Sequence, residues 1–196
     1  MNKNTVKITS LVAGILTAIV AVFYFVVTIQ NLFNFNGDAG AKYNIYLVIF
    51  ILEVAVVCAL LGLFSFLIIK KFIKNNDDSS YMLAPAMVLF AYGVLGTFIG
   101  MCFWGFDSAN SWISLIFNAI ALALIIVAKF AQLDKMISGI FVLIALGIGF
   151  IISIVNLTNT GGIYIAIYIF EMFMFAAYFV YYLFNMLVDG TFKKSE

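Results

Sequence analysis

Two carboxylates, Glu53 and Glu171, stand inside runs of residues otherwise fit for hydrocarbon. An ionised side chain at the centre of a membrane-spanning helix costs on the order of 2.5–3.5 kcal/mol on insertion scales. Each acid is therefore expected to look toward protein, water or a guest molecule rather than toward acyl chains. No lysine lies at matching depth, so a buried ion pair is not the compensation. The chemistry left to such acids is binding of a cation or proton, or anchoring a polar solute by hydrogen bonds. Counting in helical steps from Glu171, one face collects Tyr164, Tyr168, Phe175, Tyr178, Tyr182, Asn185 and Asp189. Tyr168 and Tyr178 lie deep, where their hydroxyls need partners. With Asn118 they complete the candidate ligand- or ion-binding set: Glu53, Asn118, Tyr168, Glu171 and Tyr178. The competing reading makes these groups interhelical glue, worth only about 0.6 kcal/mol per hydrogen bond on average. That reading suits Asn118 and Glu53 better than Glu171, which alone has a tyrosine-lined face.

Other chemistry is poorly supported. The chain has no histidine, which excludes imidazole acid–base catalysis and a Ser-His nucleophile. It has no phosphate-binding loop, dinucleotide fingerprint or HExxH helix, and a carboxylate-only enzyme has no motif behind it. The expectation is a protein that is not an enzyme and carries no cofactor or metal. Cys58 and Cys102 are the only cysteines, both within apolar runs, so neither a disulfide framework nor zinc spacing exists. A net charge of +1 without a basic patch points to no nucleic-acid partner.

The elements that must position these residues follow from composition. With 66% hydrophobic and 10% charged residues, the chain departs from soluble domains, which are nearer half apolar and a quarter charged. Six apolar runs, at about 8–30, 45–69, 82–104, 112–130, 137–156 and 163–187, reach the roughly 17–25 residues a spanning helix requires. The fold class expected is all-α: one polytopic membrane domain over 1–196, in the cell membrane. Asn-, Gly- and Asp-containing turns at Asn34–Gly40, Asn75–Ser80, Phe106–Ser111 and Asn156–Gly162 separate the runs. The first run is too long for a cleaved signal peptide and is read as an uncleaved anchor. Lysine placement sets the orientation. Lys3, Lys7, Lys70, Lys71, Lys74, Lys129, Lys135, Lys193 and Lys194 fall on one side, against Lys42 on the other. Both termini are then cytoplasmic, and Trp104 and Trp112 bracket an external loop as interfacial residues. All ten positive residues are lysine, which, with abundant Ile, Phe and Asn, suggests an AT-rich bacterial genome.

Three hairpins are expected, with signs of a repeat. Ile45–Glu53 and Ile163–Glu171 share five of nine positions, including the Tyr and the Glu. The odd-numbered helices carry small residues four apart: Ser10, Gly14 and Ala18; Gly96 and Gly100; Ala145, Gly149 and Ser153. Such stripes let backbones approach closely. Length, six helices and cytoplasmic termini look like the substrate-binding membrane subunits of energy-coupling-factor vitamin transporters, a similarity of topology rather than of sequence. It implies that Ser10, Gly14 and Ala18 dock a transmembrane partner. The function expected is a small bacterial membrane protein that binds or passes a small solute or cation, alone, as a homo-oligomer or beside other membrane subunits. The alternative is an assembly subunit without a substrate of its own.

Overall fold

A computed structural model describes residues 3–33, 40–74 and 81–188. They form six helices: α1 Lys3–Phe33, α2 Ala41–Ile73, α3 Ala84–Trp104, α4 Ala109–Phe130, α5 Lys135–Thr158 and α6 Ile163–Val188. All six are long and apolar enough to cross a membrane. Each outruns or matches its apolar run except α3, which starts two residues late at a helical turn closed by Ala84 N–H to Tyr81 O, 3.1 Å. Pro85 fills the first turn of α3, where a missing N–H is harmless. The short connections are set by caps. Ser108 Oγ accepts from Ser111 N–H at 3.3 Å to start α4, and Asp134 Oδ1 accepts from Met136 N–H at 2.7 Å to start α5. Gly105 ends α3 with φ +107°, a backbone region open to glycine. The expected turns at 34–39 and 75–80, together with Asp189, Lys193 and Lys194, lie outside the described residues.

The helices pack as a ring in chain order, each against the next, with α6 closing onto α1. Paired contacts fix the registers. Ser65 Oγ donates to Gly14 O (2.9 Å), and seven residues away on both helices Cys58 Sγ donates to Ala21 O (3.3 Å), so α1 and α2 run antiparallel. Thr17 with Tyr178 and Tyr24 with Glu171 set the same relation between α1 and α6. Between α2 and α3, Glu53 faces Gly96 while Tyr46 packs on Phe103, again an antiparallel register. The buried cluster includes Leu61, Ala86, Ile125, Leu146, Met174 and Tyr178. Large apolar side chains such as Val22, Leu52, Leu95 and Phe173 remain exposed on the outside, the surface a bilayer covers.

Candidate functional site

The ring encloses a cavity of about 630 Å³ that runs from the α3–α4 connection, at Gly105, Asp107 and Ser108, inward to Glu171. All six helices contribute to its wall. Glu171 is 6% exposed. Its Oε1 accepts a 2.7 Å hydrogen bond from the Tyr24 hydroxyl of α1, and no donor among the described residues meets Oε2. Tyr168, one helical turn nearer the mouth, lines the same wall and is half-buried. The inner limit is the stacked pair Phe90 and Phe175, 5.2 Å between ring centres. Beyond it the interior is filled by Ala86, Leu146, Met174 and Tyr178. The cavity is thus open at one end of the bundle and stopped at the other.

Why Glu171 turns inward follows from the α1–α6 seam. Thr17 donates its one proton to Ala13 O at 2.8 Å, so in the 2.8 Å pair with Tyr178 the tyrosine donates. Two turns along, Tyr24 donates to Glu171. Both bonds are buried, and Phe23 stacks on Phe170 beside them at 5.3 Å. Tyr178 is therefore a seam residue that does not line the cavity. The buried face of α6 also takes in Ile167, Met174 and Tyr181, whereas Tyr164, Tyr182 and Asn185 of the expected polar stripe are half-buried.

Asn118 lines the cavity and donates through Nδ2 to Ser114 O at 2.8 Å and Ser114 Oγ at 3.3 Å. Its amide lies directly against Gly93 of α3, where a Cβ would collide with it. Glu53 sits elsewhere. It is half-buried in a groove of about 990 Å³ between α2 and α3, bordered by the exposed Leu52, Val56 and Leu95. The two acids do not meet. Glu171 accepts a hydrogen bond from a tyrosine of α1, whereas Glu53, beside Gly96 and sharing its groove with Tyr92 of α3, receives no hydrogen bond among the described residues.

The small-residue stripes serve three different ends. Gly14 is covered by α2, a Cβ there coming within 2.9 Å of Ile68 Cγ2, so this glycine is already used inside the chain. Ser10 donates to Lys7 O within its own helix (2.7 Å), and Ala18 is half-buried. Gly96 and Gly100 line the cavity, with open space beside Gly100. On α5, Ala145, Gly149 and Ser153 are buried; Gly149 meets the Phe175 ring, and Ser153 Oγ donates to Gly149 O at 2.9 Å.

Sequence reasoning passed over Tyr24 and Tyr92, which line the cavity and meet edge to face at 5.7 Å. Both are tyrosines within apolar runs, so the hydroxyl argument applied to Tyr168 and Tyr178 applies equally to them. The described residues thus define a six-helix bundle of the multi-pass membrane type. The chain matches no protein-family model, no curated protein and no solved structure.

Proposed function

We propose that this chain is a solute-binding membrane protein of the transport class, without enzymatic activity. The observation that carries the reading is the cavity of about 630 Å³ ending on the one free oxygen of a buried carboxylate, Glu171. Its size falls in the range of roughly 300–1,000 Å³ typical of small-molecule sites. Its wall combines aromatic rings with hydroxyls and amides such as Ser114, Asn118 and Ser153 around one deep acid, a composition suited to a polar solute. Passage through the bundle requires the Phe90–Phe175 stack to part. The proposed topology is three hairpins, with both termini on the cytoplasmic, lysine-rich side of a cell membrane. The antiparallel registers of α1 with α2 and α6, and of α2 with α3, support it. The lysine-only cation content supports a bacterial source.

The experiment is thiol labelling of Ser114→Cys in a Cys58→Ser, Cys102→Ser background. Ser114 lines the cavity midway along its wall. A membrane-impermeant methanethiosulfonate applied to the outside of intact cells is expected to modify it. Absence of labelling from either side of the membrane rejects an accessible site.

A second reading, an assembly subunit without a substrate, is favoured by the α2–α3 groove, an apolar surface cleft holding a half-buried acid. If that reading is right, Glu53→Gln weakens assembly with other membrane subunits, and the cavity binds no solute in either form of the chain.

A further inference from the structure

The lining of the cavity narrows the class of its occupant. Its acids are Glu171 and Asp107, and no lysine lines it, so an anion finds no counter-charge. A divalent ion such as Ca²⁺, held largely by carboxylates, finds only Glu171 at depth, with Asp107 at the mouth and neutral hydroxyls and amides between them. No three acidic or thiol side chains among the described residues come close enough to hold a metal ion. What the wall does supply is aromatic surface. Tyr24, Tyr92 and Tyr168 line it around Glu171, and Tyr46 and Trp104 line it near the mouth, edge to face at 5.4 Å. Aromatic faces attract ammonium groups through the ring quadrupole, most strongly where water is excluded. The chain already makes this contact at the rim, where Lys42 Nζ lies over the Trp104 ring, 5.7 Å from its centre.

We infer that the cavity binds an organic ammonium ion, its cationic head lodged among Tyr24, Tyr92 and Tyr168 and facing Glu171 Oε2. The inference rests on the solute-binding reading above and names its ligand class. Glu171 supplies the charge and Tyr24 holds that carboxylate in place through its 2.7 Å bond. Tyr92 is a positioning and specificity residue, because its ring bears on the head group without contacting the carboxylate through a hydrogen bond.

The test uses the full chain in lipid nanodiscs, titrated by calorimetry with choline, phenethylammonium and the uncharged choline isostere 3,3-dimethyl-1-butanol. At least one cation is expected to bind about tenfold or more tightly than the alcohol. Glu171→Gln is expected to abolish that preference. Tyr92→Leu, which leaves the Tyr24–Glu171 bond in place, is expected to weaken the cation by about tenfold and leave the alcohol unchanged. Thermal unfolding of each variant identifies any that has lost its fold, and Tyr92→Leu then decides. Cations that bind no better than the alcohol overturn the ligand class, while labelling of Ser114→Cys leaves the cavity standing. Failure of that labelling removes the cavity and the inference with it.

Discussion

Glu171 and Tyr24 share one short hydrogen bond, and the two sides of that bond are unequal. Removing the donor leaves a buried carboxyl oxygen with no partner among the described residues. An unsatisfied buried polar group costs roughly 1–3 kcal/mol. Tyr24→Phe is therefore expected to destabilise the bundle by about that much, read as a lowered thermal midpoint in detergent. Thr17→Val acts on the neighbouring bond. It deprives the Tyr178 hydroxyl of its acceptor but keeps the shape of the side chain. The Tyr178 hydroxyl is a neutral group, and neutral hydrogen bonds contribute about 0.5–1.5 kcal/mol against about 1.5–3 for bonds to charged groups, so the smaller loss is expected here. An equal or larger loss in Thr17→Val contradicts the ranking. That Glu171 turns inward was legible in the sequence, because an acid among isoleucines and phenylalanines has few places to go. The identity of its partner was not. Helical spacing gives the face a side chain occupies, but which neighbour supplies a hydroxyl depends on the ring order and the register of α1 against α6.

At the scale of elements, apolar length determined the six helices and nearly their bounds, since the interior of a bilayer admits few other structures. Polar flanks such as Ala41–Asn44 and Lys70–Ile73 of α2 continue the helix beyond the apolar run, which hydropathy cannot reveal. The two acids occupy comparable seams, α6 against α1 and α2 against α3, yet only one is satisfied. A Cβ on Gly96 stands 3.6 Å from Glu53 Oε2, near enough for a serine hydroxyl to reach it. Gly96→Ser is expected to stabilise the protein relative to Gly96→Ala by about 0.6 kcal/mol, the average of such bonds. Comparison with alanine removes the gain in helix propensity common to both. At the opposite seam, a Cβ on Gly149 comes within 2.6 Å of the Phe175 ring, itself stacked on Phe90. Overpacking of this kind costs roughly 1–3 kcal/mol. Gly149→Ala is expected to lower the thermal midpoint and to disturb the inner limit of the cavity. An unchanged midpoint contradicts the tight approach of α5 to α6 at this glycine.

Across the whole molecule, charge and shape point in opposite directions along the bundle. Lys70, Lys71 and Lys74 close α2, Lys129 closes α4, and Lys7 and Lys135 open α1 and α5. The cavity opens at the other end, at the α3–α4 connection, where Lys42 lies over Trp104. Short loops rich in lysine stay in the cytoplasm during insertion. On the proposed topology the mouth faces outward, and the stacked phenylalanines stand between the cavity and the cell interior. The proposed solute site would then load from outside, and reporter fusions test that orientation directly. A fluorescent protein fused after Glu196 is expected to fluoresce, whereas alkaline phosphatase fused there stays inactive. Alkaline phosphatase fused after Gly105, at the end of α3, is expected to be active. If the two phosphatase fusions exchange activities, the bundle is inserted the other way and the cavity loads from the cytoplasm. The proposed solute would then reach Glu171 from the cell interior rather than from outside.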